Sequence, residues 1–496
     1  MNVALRSFIF SSFCCVAAQT VSAGSPDSIP TAGEMRSALV GSVSEHRSLL
    51  TDPLASAWEN PALSLYRYGS SLTEVRAGGE LSDEVRAGFF EAGTYMVSPR
   101  FGITGRVRYA NSRRTSGQLF ESSDADMVGP FLTYASGDGT MREEEYGFGG
   151  SYTARLGRWN VGISGDYDAG LYYRTVDPRP RNVTGRLRVN PAVSFLVTPG
   201  YALTAGFTFE KYKQSSSISF VSELGRNMVY HLTGLGTAYG RFDGQGLKSY
   251  YTGYSFGAQL GLLPVSEGGY VYGDFSRTGI ENILSDLNKL PMGKTSTPLL
   301  RGEAGWRGRG WIAGVTGMWE RRRATENIFG DAASGQYPQI GSLTMYSRTH
   351  REAGIKASYA RPNLSALLEA LWESGFEQRL SPMRSLSWER LTASVSIHGW
   401  LALRKGGYLG LTLRGVSHSP LTHSKSGIVI PDDDLRPVVE NILETYRFRT
   451  TSRFGGSVRA EGLFPINRKF MLGASADYTH TADGLDRGEV AVEFLF

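Results

Sequence analysis

The residues best able to do chemistry in this chain of 496 are its seven histidines: His46, His231, His350, His398, His418, His423 and His480. His480-Thr481-Ala482-Asp483-Gly484 brings a base close to a carboxylate, but Ala482 stands where a nucleophilic serine would be needed. His418-Ser419 and His423-Ser424 are adjacent pairs in a stretch where serine is common anyway. Asp-x-His, which would place an acid and a base on one face of a strand, does not occur. No spacing of histidines and carboxylates singles out a metal site. Asp432-Asp433-Asp434 reads as a solvated loop. The chain is therefore expected to have no catalytic residues, no metal and no cofactor.

The charged residues carry more information, because many alternate with apolar ones. Phe101, Ile103, Val107 and Tyr109 share one side of a strand while Arg106 and Arg108 lie on the other. Asp166 and Asp168 oppose Val161, Ile163 and Tyr167, and Arg186 and Arg188 oppose Leu187 and Val189. The same parity assigns Arg301, Glu303, Glu369, Glu373, Arg414, Arg453, Arg459 and Asp477 to the polar side. The signs nearly cancel. A strongly ion-selective pore would present a ring of one sign. A balanced set suits a network of ion pairs bracing a wall, or a polar plug held inside it.

The elements that must position these residues are strands with a period of two. They run long, often past ten residues, and aromatic residues sit at many of their ends: Trp159, Tyr201, Trp311, Trp372 and Trp400. The connections fall into two classes. Short turns rich in Pro, Gly and Asn lie at 98–100, 157–158, 198–200, 264–269, 308–310, 361–363, 404–407 and 464–469. Long polar segments lie between them at 115–144, 215–247, 279–296, 325–342 and 420–443. Eight short turns make eight hairpins; an opening strand near Ser70–Gly78 and a closing strand at Gly488–Phe496 complete the set. The expected fold is all-β: a transmembrane antiparallel up-and-down barrel of about 18 strands, with 16 as the alternative, over residues 70–496. In the closing strand GEVAVEFLF, Val490, Val492, Phe494 and Phe496 share a face. Phe494 and Phe496 are candidate parts of a signal for the outer-membrane assembly machinery.

Composition agrees. Gly 61, aromatics at 11% and the lack of a long apolar run favour strands over helices. A net charge of +5 is too balanced to indicate a nucleic-acid partner. Residues 1–23 read as a secretory signal peptide, with Arg6, an apolar run from Phe8 to Ala18, and Val21-Ser22-Ala23 before Gly24. The run is short for a membrane helix, and Phe13 before Cys14 does not suit lipid attachment. Both cysteines, Cys14 and Cys15, fall in this segment, so the exported chain would contain no thiol.

Residues 24–69 read as a separate periplasmic or lumen-plugging segment. It contains Asn60-Pro61-Ala62 just before the first strand. This triplet resembles the N-terminal element of the long-chain fatty-acid transporter superfamily, and the exported start and barrel layout resemble an uncharacterised outer-membrane barrel family of Bacteroidota. The resemblance implies a hatch inside the lumen, carried by Asn60, Pro61 and Ala62, and passive passage of a small, hydrophobic substrate across the outer membrane of a Gram-negative bacterium. Here the segment is longer and more polar than that hatch. The competing expectation is a closed barrel whose long loops bind a partner. Outer-membrane lipid, the assembly machinery and a small-molecule substrate are the partners this reading implies.

Overall fold

The protein is described by a computed structural model over residues 70–82, 85–97, 101–115, 120–137, 139–222, 228–244, 248–265, 267–332, 336–361, 364–403, 407–466, 471–481 and 486–495. The signal segment, the segment 24–69 with Asn60, Pro61 and Ala62, and Phe496 lie outside the described residues.

In chain order the strands are β1 (Ser70–Ser82), β2 (Val85–Val97), β3 (Phe101–Arg114), β4 (Thr133–Tyr134), β5 (Met141–Leu156), β6 (Trp159–Arg174) and β7 (Arg179–Thr198). Next come β8 (Tyr201–Ser219), β9 (Tyr230–Gly234), β10 (Thr237–Ala238), β11 (Ser249–Pro264), β12 (Gly268–Leu284), β13 (Leu290–Gly308) and β14 (Trp311–Phe329). The last are β15 (Gln339–Arg361), β16 (Leu364–Arg379), β17 (Arg384–Ala402), β18 (Tyr408–Ser426), β19 (Arg453–Pro465), β20 (Met471–Thr481) and β21 (Asp486–Leu495). Two helices, α1 (Ala125–Val128) and α2 (Arg436–Thr450), lie in loops.

Eighteen of these strands form one antiparallel sheet in which each pairs with its sequence neighbours. It closes because β1 pairs with both β2 and β21, the latter from Glu74↔Leu495 to Ser82↔Arg487. Closure leaves no edge of unpaired N–H and C=O groups, the condition for a sheet to cross a bilayer. The terminal strand GEVAVEFLF is thus the seam, with Val490, Val492 and Phe494 exposed on its outer side. Exposed outward side chains continue around the barrel, among them Phe148, Phe207, Leu260, Val315, Ile355, Leu368 and Leu411. A soluble protein rarely shows so broad an apolar surface; in a bilayer it is the lipid-facing belt.

All eight short connections expected from the turn residues join strands at one end of the barrel. The other end is less uniform than the sequence pattern predicts. Residues 279–296, expected as a loop, are mostly ladder, with Gly279↔Ser296, Ile280↔Thr295 and Glu281↔Lys294 paired and only 285–289 left to turn. The strands there rise past the apolar belt. Their side chains no longer face lipid, so the alternation fades while the hydrogen bonding persists. At the same end, β6 joins β7 through 175–178 and β16 joins β17 through 380–383, both short.

Three long loops do not project outward. Residues 120–137, 228–244 and 427–452 fold together into the mouth of the barrel, where β4, β9 and β10 form a small sheet of their own. Val128, Phe131, Leu235 and Tyr446 from these loops bury against Tyr212, Tyr251, Ile280, Ala324, Tyr346, Leu386 and Trp388 from the barrel wall. Each fully buried apolar side chain contributes about 1.5–3 kcal/mol. Helix α2 supplies its apolar stripe, Val438, Val439, Ile442 and Tyr446, at i, i+1, i+4 and i+8, which fall on one face; with Leu435 just before the helix, Val438, Val439 and Ile442 make the i, i+3, i+4, i+7 set. Pro437 suits its first turn, and Arg447 and Arg449 lie at the carbonyl end, where cations are favoured. The three loops together form a lid.

Candidate functional site

The lid is held by buried polar contacts with wall residues. Arg379 on β16 pairs with Glu326 on β14 and donates to the Thr233 carbonyl of the lid at 2.9 Å. Arg322 donates to the Gly129 carbonyl at 3.0 Å, and Arg384 to Leu235 and Gly236 at 2.6 and 3.0 Å. On the other flank, Arg174 donates to Glu121 at 2.7 Å and Asn182 to the Glu121 carbonyl at 2.6 Å. Tyr212 donates to Asp124 at 2.8 Å. Burial pushes the Glu121 carboxyl up to about 7, against the pull of Arg174. Burial alone pushes the His231 imidazole on β9 down to about 4, and neither ring nitrogen has a hydrogen-bond partner.

These contacts fix which face of each strand looks inward, since wall residues that touch the lid must face the lumen. By that parity Arg106, Arg108, Asp166, Asp168, Arg186, Arg188, Arg301, Glu303, Glu369, Glu373, Arg414, Arg453, Arg459 and Asp477 share the face of the sheet that carries the lid-contacting residues. Several are brought together across neighbouring strands. Arg106 meets Asp166 at 3.4 Å over the side-chain-free Gly149, Arg188 meets Glu210 at 2.7 Å, and Arg390 meets Glu373 at 2.7 Å. Lys356 meets Glu303, and Arg348 meets Glu320 at 2.9 Å. Arg108 turns instead to Glu145 at 3.6 Å, and Arg459 to Glu461 on its own strand at 3.4 Å.

One part of this wall stands out chemically. Beneath α2, His350 and Glu352 project from β15, Glu373 from β16, Arg390 and Thr392 from β17 and His418 from β18. The nearest donor atoms of His350, Glu352 and Glu373 lie within 4.8 Å of one another. Arg390 grips Glu373 with a two-pronged contact, Nε to Oε2 at 2.7 Å and a terminal nitrogen to Oε1 at 2.8 Å. Thr392 donates to Glu373 Oε2 at 2.6 Å and lies 3.0 Å from His418 Nδ1. Trp388 closes the upper side. The His350 ring lies 5.8 Å from it, and the guanidiniums of Arg390 and of Arg449 on α2 stack over it at 5.2 and 5.4 Å. The lid therefore touches this cluster directly through Arg449.

A bulge between Glu389 and Arg390 in the pairing with β18 sets the local geometry. Pro420 lies opposite Arg390 and Leu421 is the extra residue; Pro420 has no N–H to give to the ladder, and a bulge is where a strand accommodates one. Sequence reasoning placed Glu373 on the lumen side but missed His350, Glu352, Arg390 and Thr392. The legible signal was His350-x-Glu352, two residues on one face of an alternating strand. What the sequence lacks is the register that sets Glu352 opposite Glu373.

Fold and site together define a closed transmembrane β-barrel lidded by its own loops, with this polar cluster on the wall of the space beneath them, the chamber. The sequence matches a family of unknown function, DUF6850, over residues 79–494, and the chain belongs to that family. No curated protein matches it. Among solved structures it is similar to the ferric yersiniabactin uptake receptor FyuA from Yersinia pestis, at 10% identity and TM-score 0.42, covering 86% of this chain and 80% of that one. It is also similar to BauA, the ferric preacinetobactin receptor from Acinetobacter baumannii, at 9% identity and TM-score 0.45 with 86% and 80% covered. The copper transporter OprC is similar at 9% identity and TM-score 0.44, with 87% and 81% covered.

Proposed function

We propose that this protein is an outer-membrane barrel that admits a small ligand to its lumen through a gate made of its own loops. The observation that carries this reading is the lid: three loops share a buried core with the wall and sit directly above a polar chamber. A barrel of this size encloses an aqueous channel unless something fills it. A lid with an apolar core is a poor fit to free passive diffusion and a good fit to passage on opening. In this reading residues 1–23 direct export, the loop end faces the cell exterior, and Phe494 and Phe496 serve assembly. Residues 24–69, with Asn60, Pro61 and Ala62, serve in this reading as a periplasmic or lumen-plugging segment.

Planar-bilayer recording tests the reading with four forms: the parent, a form lacking residues 24–66, a form with 435–451 replaced by a short Gly-Ser linker, and a form carrying both changes. The parent is expected to be nearly silent, and removing either obstruction, or both together, to raise conductance. A parent that conducts as freely as the form lacking both segments contradicts gating. Silence of all forms, each shown to be a folded barrel by heat-modifiable migration, favours a closed scaffold whose surface binds a partner.

A further inference from the structure

We propose that His350, Glu352 and Glu373 form a binding site for one divalent transition-metal ion in the chamber wall. The donor atoms already converge to within 4.8 Å. His350 Nε2 is buried and makes no hydrogen bond; Glu352 Oε1 is 3.5 Å away, outside bonding geometry. An imidazole nitrogen left dry and unpaired is costly, and a metal is one of the few partners that can occupy it from inside a lumen.

The carboxylates make the second, independent argument. Glu352 and Glu373 are direct cross-strand partners. Like charges opposite each other destabilise a sheet unless a cation lies between them. Arg390 grips Glu373 with two N–H groups and acts on Glu352 only from beyond ion-pair distance. Among the described residues Glu352 has no guanidinium or ammonium at ion-pair distance, and its only charged contact is His350. At contact range the two carboxylates face the single guanidinium of Arg390, with Arg301, Arg348 and Arg449 farther out.

Glu373 is also built as a ligand is built. Arg390 and Thr392 hold its orientation, and its Oε1 accepts a single hydrogen bond, which leaves a lone pair toward His350 and Glu352. One imidazole nitrogen with two carboxylate oxygens suits zinc, iron, cobalt or nickel better than calcium or magnesium, which take oxygen donors. Three protein ligands leave coordination positions open toward the chamber. Arg301, Arg348 and Arg449 lie within electrostatic range of the cluster and favour an anionic ligand at those positions. The site stands whether or not the lid acts as a gate.

Equilibrium dialysis of the tag-free, full-length barrel against Co²⁺ or Zn²⁺, with metal counted by elemental analysis, tests the assignment. One equivalent is expected to remain bound, with cobalt showing ligand-field bands of a low-coordinate N/O site. His350→Ala and the near-isosteric Glu352→Gln are expected to lose it, and Thr392→Val to weaken it about tenfold by freeing Glu373. His480→Ala, at a histidine paired with Asp486 far along the chain, is expected to leave it unchanged. Heat-modifiable migration confirms folding of each form. No retained equivalent in the parent, or equal retention in folded His350→Ala and Glu352→Gln, overturns the site.

Discussion

Two arcs of one barrel are built to different heights. From β7 to β18 the barrel strands are long, 20 residues in β7 and 23 in β15. Around the seam they are short, 13 residues in β2 and 10 in β21. Both arcs satisfy the same hydrogen-bond ladder and present the same apolar belt, so lipid alone explains neither the difference nor its position. The wall residues buried under the lid, Tyr212, Tyr251, Ile280, Ala324, Tyr346, Leu386 and Trp388, all come from the tall arc. The extra strand length is a support for the loops. Ion pairs differ in the same way. In the tall arc Arg379 is buried with Glu326 and bonds the lid backbone, whereas near the seam Arg76–Glu489 and Arg487–Glu80 stay within the wall and partly exposed.

The largest expected effect breaks the tall arc. Arg379→Ala strands Glu326 in a buried site, and removing one partner of such a pair costs about 3–5 kcal/mol. Hydrogen exchange is expected to rise across 228–244 and 436–450 while the seam strands stay protected. A uniform rise would show that lid and barrel unfold as one unit. Leu235→Ala follows, at about 2–5 kcal/mol for an emptied core position, with the same local pattern.

Acid and base should act on the lid in opposite senses. His231 has a lowered folded pKa of about 4, so its contribution is full above about 6.5 and is lost as pH falls toward 4. Glu121 has a raised folded pKa of about 7, so its contribution is full below about 4.5 and is lost as pH rises through 7. The two offset each other in the parent. Glu121→Gln is expected to expose the first limb, with lid protection falling as pH drops from 6.5 to 4. His231→Leu is expected to expose the second, with protection falling as pH rises from 4.5 to 7. Exchange rates corrected for their intrinsic pH dependence read both; an unchanged profile in either variant removes that residue from the account.

The smallest effect is in the short arc. Arg487→Ala removes partly exposed contacts to Glu80 and Glu489 and should cost less than about 1 kcal/mol, with no change in lid exchange. A lid response there would end the distinction between the arcs.

What was legible in the sequence follows from the same physics. Lipid imposes a strict period of two, so the strands, the eight turns and the closing pair β1–β21 could be read from residues such as Val490, Val492 and Phe494. Above the belt that constraint vanishes, and β12, β13, β14 and β15 run on through polar sequence that looks like loop. The lid was not legible, because Val128, Phe131 and Leu235 are isolated apolar residues in loop sequence, and their partners lie on distant strands. Helix α2 was missed as well: 420–443 reads as a polar segment, although Val438, Val439, Ile442 and Tyr446 fall on one helical face. The His350 cluster depends on register across β15, β16 and β17, which single strands do not encode.

The central claim is that the lid seals the chamber from the loop end. It is tested most directly with a single cysteine at Ser394, on β17 beside Glu369, in a form whose Cys14 and Cys15 are replaced by serine. A membrane-impermeant maleimide is applied to intact cells, with Ser426→Cys at the end of β18 as the exposed standard. Sealing predicts that Ser394→Cys labels far more slowly than Ser426→Cys, and that adding Arg379→Ala brings the two rates together. Equal rates in the parent background would mean that the chamber is open and that the lid is not a gate.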